Sequence, residues 1–216
     1  MPRIQHFLNV SDTLPQFAAI LRATLEKEHV GDFLSIQLSS FTSADNALTY
    51  SVIDPLGVQV TSGTLSPAIP QAHIPALRAD GYYSVFFGAG AGADQFSVGL
   101  VSDPSLPVDA STTNVSTTAG QSPRFVFPAN AGDNLGIGIR NLAITNTTGD
   151  SIQVFVYKPD GTQLASNTTC RVYYGGCDFN LINIPTTGTY ALLLAPAYGS
   201  PQETMASDAT SPRADR

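Results

Sequence analysis

The chain has 216 residues, only 12% of them charged, with 18 Gly and 15 Pro, a charged share about half that of an average globular protein. Ten Lys and Arg against 17 Asp and Glu leave a net charge of −7 with no basic cluster, which argues against a nucleic-acid surface and against anchoring to anionic lipid. No apolar run approaches the roughly 18 residues a membrane-spanning helix needs, and no signal-peptide core precedes Asp12 and Pro15. That start fits an internal protein, a piece of a longer exported chain, or a chain without its leader.

Low charge with many turn formers predicts an all-β protein built from short strands. Residues 1–13 carry no firm pattern. Residues 17–28 are ambiguous, because Phe17, Ile20, Leu21, Thr24 and Leu25 fit a helical stripe while residues 20–26 also read as a strand. Residues 33–39 alternate, with Leu34, Ile36 and Leu38 on one face. Residues 48–52 alternate again and stop at Asp54-Pro55-Leu56-Gly57, a turn signal. A polar strand over residues 58–65 follows. Then come Ile74-Pro75 and the run Gly81-Tyr82-Tyr83-Ser84-Val85-Phe86-Phe87, in which Tyr83, Val85 and Phe87 share a face. Residues 88–93 are a Gly-Ala connector without the lysine of a phosphate loop, and residues 95–101 are a further strand.

Pro104 and Pro107 mark residues 103–113 as a linker. Beyond it the same order returns. Gly31-Asp32, Leu34 and Ile36 correspond to Gly132-Asp133, Leu135 and Ile137. Pro55 and Gly57 correspond to Pro159 and Gly161, Ile74-Pro75 to Ile184-Pro185, and Gly81 with Tyr83 to Gly188 with Tyr190. Such a shared order predicts an internal duplication. It also favours a strand over residues 20–26, because the matching stretch at residues 125–131 contains Pro128 and reads as β. One sheet cannot hide its apolar face alone, so each copy is expected to pack two sheets. The expected architecture is an extension over residues 1–13, a first β-sandwich over 14–102, the linker, a second over 114–207, and a polar, disordered tail over 208–216. The last strand of the second copy is expected to be missing, weak, or supplied by another part of a longer protein.

Gly132-Asp133-x-Leu, the Lys158-Pro159-Asp160-Gly161-Thr162 turn, Thr169-Cys170 with Gly176-Cys177-Asp178, and Leu181-x-x-Ile184-Pro185-x-x-Gly188-Thr189-Tyr190 resemble bacterial pre-peptidase C-terminal domains. The likeness is to the versions in secreted hydrolases and near the N-termini of RHS/YD-repeat surface proteins. It covers residues 115–196 well and residues 14–101 less well. It implies two tandem jelly-roll-like β-sandwiches, a secreted or cell-surface setting and a non-catalytic role beside other domains of a larger protein. It also implies a carbohydrate or cell-envelope polymer as partner. No ligand residue of that family maps onto this sequence.

The residues themselves offer few sites. Cys170 and Cys177 would form a disulfide around a small loop, and free buried thiols are the other reading; zinc lacks the two further ligands it needs. Tyr173 and Tyr174 between them are candidates for an aromatic platform under a sugar ring, against the plainer reading that one packs on the disulfide and the other is exposed. Tyr82 and Phe86 have the same standing. Asp32 and Asp133, with Asp54 or Asp160, would suit Ca²⁺, although capping of their own turns is the better expectation, and no other cofactor is indicated. His6, His29 and His73 are scattered, and no nucleophile motif accompanies them. A binding module is therefore the first functional reading and a purely structural spacer the second. A small hydrolase would need a His brought within reach of a Ser or carboxylate.

Overall fold

A computed structural model describes residues 6–11, 21–24, 29–42, 46–88, 95–106, 108, 113–118, 120–145, 151–196 and 204–214. The chain divides into two compact units, Met1–Ser102 and Asp103–Arg216. Among the described residues every regular element is a strand except one 3-10 turn, Val172–Tyr174.

The first unit contains β1 (His6–Ser11), β2 (Leu21–Thr24), β3 (Leu34–Thr42), β4 (Leu48–Ile53), β5 (Gln59–Leu65), β6 (Gln71–Ile74), β7 (Ser84–Gly88) and β8 (Gln95–Ser102). They form two four-stranded antiparallel sheets, ordered β1-β8-β3-β6 and β2-β7-β4-β5. That order, in which the chain crosses between sheets at every connection except the β4–β5 hairpin, is a jelly roll. The alternation read from the sequence supplies its core: Leu34, Ile36 and Leu38 from β3 meet Leu48, Val52, Val85 and Phe87 from the other sheet. Leu21–Thr24 is a strand, so within these residues the duplication decides correctly over helix propensity.

The second unit contains β9 (Thr113–Ser116), β10 (Arg124–Ala129), β11 (Leu135–Thr145), β12 (Ser151–Tyr157), β13 (Gln163–Arg171), β14 (Gly176–Leu181), β15 (Gly188–Pro196) and β16 (Thr204–Ala214). Its strands run β10-β15-β12-β13-β14-β11-β16-β9. Cut between β13 and β14, this is the order of the first unit with each strand number raised by eight. The two halves are joined where Arg171 pairs with Gly176.

The duplication extends to single hydrogen bonds. Gly31 N–H donates to Leu77 O at 2.9 Å and Leu77 N–H to Asp32 O at 3.0 Å; Gly132 N–H donates to Ile184 O at 2.8 Å and Ile184 N–H to Asp133 O at 2.9 Å. Tyr83 and Tyr190 are fully buried, and their hydroxyls donate to Ala79 O at 3.0 Å and Thr186 O at 2.7 Å. At Gly81 a Cβ would lie 2.9 Å from Pro55 Cγ, and at Gly188 one would lie 2.6 Å from Pro159 Cγ. Each Gly-x-Tyr motif thus lets a proline turn close onto the chain.

Four expectations need correcting. The partner of Ile184 is Leu77, not Ile74: Leu34 pairs with Ile74 and Leu135 with Leu181, so Ile74 corresponds to Leu181. The repeated Ile-Pro dipeptide is a coincidence of composition, displaced by three residues from the true register. Residues 6–11 of the expected extension form β1, an edge strand of the first unit paired with β8. Residues 208–214 of the expected tail belong to β16, which pairs with both β11 and β9, so the last strand of the second unit is present. The pairing is made by backbone groups and does not need the apolar alternation the sequence lacks there.

The last correction concerns the expected linker. Leu106 N–H donates to Val126 O at 2.7 Å and Val126 N–H to Pro104 O at 2.9 Å, with Leu106 fully buried. Asp103 and Arg124 form an ion pair whose side chains are only 3% and 5% exposed. Burial draws the Arg124 guanidinium below its ordinary value, and the Asp103 carboxylate opposes that change. Residues 103–106 are therefore part of the second unit.

Removing one partner of such a pair strands a buried charge. Arg124→Met is expected to lower stability by about 3–5 kcal/mol, and Arg124→Met with Asp103→Leu to recover most of the loss. Urea unfolding followed by far-ultraviolet dichroism measures both. Equal losses in the single and double variants would show that the charge is not the cause.

Candidate functional site

The exposed aromatic loop lies between β13 and β14, where the two halves of the second unit meet. Cys170 is fully buried in β13, opposite Ile152. Cys177 stands in β14, opposite Ile139. The two cysteines are joined by a disulfide with Cα atoms 4.9 Å apart. Between them the chain makes the 3-10 turn and returns through Gly175 and Gly176. A Cβ at Gly176 would collide with the Ile139 carbonyl, so this close return requires glycine.

Tyr173 and Tyr174 occupy the turn and are 83% and 72% exposed. Neither is hidden against the disulfide, contrary to the plainer expectation for one of them. Their rings meet edge to face, with centroids 5.1 Å apart and an interplanar angle of 81°. The loop is held on two sides. Gly175 N–H donates to Val172 O at 2.8 Å inside the turn, and Leu142 N–H of β11 donates to Gly175 O at 3.2 Å. That second bond depends on an irregularity in β11, whose pairing with β16 shifts register between Arg140 and Ala143 while Asn141 takes a φ of 50°.

Arg140 lies beside the base of the loop, opposite Gly176. Its Nη2 is 2.6 Å from an Asp178 carboxylate oxygen, and its Nη1 donates to the Cys177 carbonyl at 3.3 Å. Both side chains of this ion pair are about half exposed or more, at 48% and 63%. The loop therefore combines two aromatic faces with a fixed guanidinium and a fixed carboxylate on its flank. The sequence pointed to the tyrosines through the cysteines around them. It held no sign of Arg140, which is 37 residues away from Cys177 in the chain.

The other candidates fall in separate places. Asp32 Oδ2 accepts His29 N–H at 3.0 Å and Asp133 Oδ2 accepts Asn130 N–H at 2.7 Å. Asp54 Oδ1 accepts Leu56 and Val58 N–H at 2.9 and 2.8 Å. Asp160 accepts from the Thr162 hydroxyl at 2.6 Å and its N–H at 2.9 Å, and these bonds, with Lys158 nearby, hold its carboxyl below the ordinary value. All four carboxylates cap their own turns, and among the described residues no group of three His, Cys, Asp or Glu stands together. His29 faces Asp80 across 3.8 Å at the surface. His73 Nδ1 lies 2.8 Å from Ser35 Oγ, but Ser35 is fully buried in β3, so that hydroxyl is not open to a substrate. Tyr82 is 62% exposed and Phe86 half-buried. The side chain of His6 and residues 89–93 lie outside the described residues.

No protein-family model matches the chain. No curated protein matches it. Among solved structures, it is similar to a periplasmic inhibitor of g-type lysozyme, PliG, from Aeromonas hydrophila. That match has a TM-score of 0.36 and 15% identity, and covers 50% of this chain and 96% of that one. The extracellular domain of ANXUR2 from Arabidopsis thaliana matches with a TM-score of 0.29 and 9% identity, over 99% and 89% of the two chains. The CUB1-EGF-CUB2 domains of human MASP-1/3 match with a TM-score of 0.28 and 6% identity, over 96% and 99%. Scores this low do not establish a shared fold, and the jelly roll rests on the strand order. Among the described residues no helix is long and apolar enough to cross a membrane.

Two outcomes follow from this geometry. Cys170→Ala with Cys177→Ala is expected to lower the stability of the second unit by about 2–3 kcal/mol, the chain-entropy value for so small a loop, measured by urea unfolding with and without reductant. A reductant-insensitive wild type would remove the disulfide from this role. The folded pKa of Asp160 is lowered, so its contribution is complete above the unfolded carboxylate value of about 3.9 and is lost as pH falls through the folded value. Thr162→Ala is expected to move the Asp160 titration upward, read by carboxyl-carbon NMR, and no movement would assign the depression elsewhere.

Proposed function

We propose that this chain is a non-catalytic extracellular accessory module, related to the pre-peptidase C-terminal domains it resembles. In this reading it binds carbohydrate or a cell-envelope polymer through Tyr173 and Tyr174. The observation that carries the reading is the pair of highly exposed tyrosines on a loop closed by a disulfide and hydrogen-bonded to β11. Aromatic rings give large contact area with little entropy to lose, and a loop already ordered spends little binding energy on being fixed. Sugars present apolar ring faces edged with hydroxyls. Two tyrosine faces beside Arg140 and Asp178 supply the complementary groups, with the charged pair donating to and accepting from those hydroxyls. A stable disulfide belongs to an oxidising compartment, which supports export.

The spacer reading would be favoured by a broad apolar face or by an unpaired edge around residues 200–208. Within that stretch residues 204–208 pair as part of β16, which leaves the aromatic loop as the stronger feature. The hydrolase reading finds no support in the Ser35 and His73 contact, because the hydroxyl is buried.

Tyr173→Ala with Tyr174→Ala is expected to weaken binding to an immobilised polysaccharide by about tenfold or more, the effect of losing an aromatic hot spot, while the melting temperature is retained. A glycan array identifies the polymer and titration against it measures the loss. Undiminished binding by the double variant would take the loop out of consideration.

A further inference from the structure

The duplication provides an internal control for the aromatic loop. Leu65 pairs with Leu48 as Cys170 pairs with Ile152, so the connections that follow Leu65 and Cys170 are counterparts. In the first unit residues 66–69 suffice, with Ser66 N–H and Ile69 N–H each donating to the other's carbonyl at 3.0 Å. In the second, residues 171–176 take their place and carry Tyr173 and Tyr174 on the 3-10 turn, which buries no residue. The fold therefore closes this connection without the two rings, and the rings add nothing to the core. Their surface is left for contact with something outside the unit.

The arrangement of the rings limits what that contact can be. Their planes stand at 81° with centroids 5.1 Å apart, so they make a corner and not a floor. A polymer bound along its length needs rings that face the same way and are spaced out along it. A corner takes one pyranose, with an apolar face of the sugar on one tyrosine and an edge of the same sugar against the other. Among the described residues of the second unit no other aromatic residue is exposed, so the aromatic contact is not continued along a groove.

The polar groups on the flank have the same short reach. Arg140 Nη2 and the Asp178 carboxylate, 2.6 Å apart, set a donor beside an acceptor. That spacing suits two neighbouring hydroxyls of one sugar ring. Arg140 is held there, because its Nη1 also donates to Ile139 O at 3.1 Å and to Cys177 O at 3.3 Å. The sugar with most free hydroxyls is the one at the end of a chain, where a single position is spent on the linkage.

Building on the carbohydrate reading of this loop, we infer that it holds one pyranose residue, at a chain end or a one-residue branch, and does not lie along the run of a polymer. The disulfide and the bond from Leu142 N–H to Gly175 O fix the loop before the sugar arrives, so contact with one residue costs little ordering. Further residues of a longer chain extend into solvent and add little affinity.

NMR titration of the full chain, followed through the ring protons of Tyr173 and Tyr174, tests the inference. The probes are the methyl glycosides of glucose, galactose, mannose, N-acetylglucosamine and galacturonic acid, each beside its linear six-residue homo-oligomer. At least one methyl glycoside is expected to shift both rings, with a dissociation constant within about tenfold of that of its oligomer. Tyr173→Ala and Tyr174→Ala, made separately, are each expected to weaken that methyl glycoside by about fivefold or more, because both rings touch the same sugar. An oligomer bound more than about tenfold tighter than its methyl glycoside, or either tyrosine replaceable without loss, overturns the single-residue site and leaves the carbohydrate reading in place. Rings unmoved by every probe overturn both.

Discussion

Both units depend on how one end of a two-sheet sandwich is closed. In each, a Gly-Asp turn exchanges two backbone hydrogen bonds with a buried Leu or Ile from the opposite connection, Leu77 or Ile184. The exchange fixes where the strand after the turn enters its sheet, and so which of its faces meets the core. A one-residue slip would turn Leu34 and Ile36, or Leu135 and Ile137, outward. The buried tyrosine hydroxyls and the glycine-proline approaches then hold the remaining connections against this pair. Isolated four-stranded sheets of this kind would leave one apolar face in water. The closure makes the two faces find each other in a single register.

The opposite end is where the units diverge. Leu48 pairs with Leu65 in the first unit and Ile152 with Cys170 in the second, so the fully buried Leu65 stands where Cys170 stands. Leu38 N–H donates to Pro70 O at 2.7 Å, and Ile139 pairs with Cys177, so Pro70 stands where Cys177 stands. One unit crosses between its sheets with a buried apolar side chain, Leu65, and with Pro70, whose fixed φ narrows the unfolded ensemble without a covalent bond. The other uses a disulfide and a longer loop. The extra residues become the 3-10 turn with its two exposed tyrosines, and the covalent bond allows a loop with so little buried side chain to remain ordered.

How far the sequence reveals this depends on which atoms do the work. Alternation in residues 34–38, 48–52, 83–87 and 135–139 reports burial of one face directly, and these strands are legible. The turns at Pro55-x-Gly57 and Pro159-x-Gly161 are legible because proline and glycine have narrow conformational uses. β1 and β16 escape notice because their strand identity comes from backbone pairing with β8, or with β11 and β9, and not from a side-chain pattern. Residues 103–106 mislead in the same way: two prolines suggest a spacer, while Leu106 and the ion pair of Asp103 with Arg124 bury the segment. Ile74-Pro75 misleads for the opposite reason, since a matching dipeptide is weaker evidence of register than the hydrogen bonds of Leu77. At the candidate site the cysteines draw attention to Tyr173 and Tyr174, but Arg140 comes beside their loop through the pairing of β11 with β14, a long-range register with no residue signature of its own.

Duplication also bears on how surface chemistry should be weighed. A single exposed Leu or Tyr is ordinary on any protein. Two copies of one frame show which exposed residues the frame does without. By that standard Tyr173 and Tyr174, which have no counterpart in the shorter connection of the first unit, depart from what the fold needs structurally. They lie at the end of the jelly roll opposite the closure. Because they do not touch the closing hydrogen bonds, this surface can change its chemistry without cost to the core that carries it.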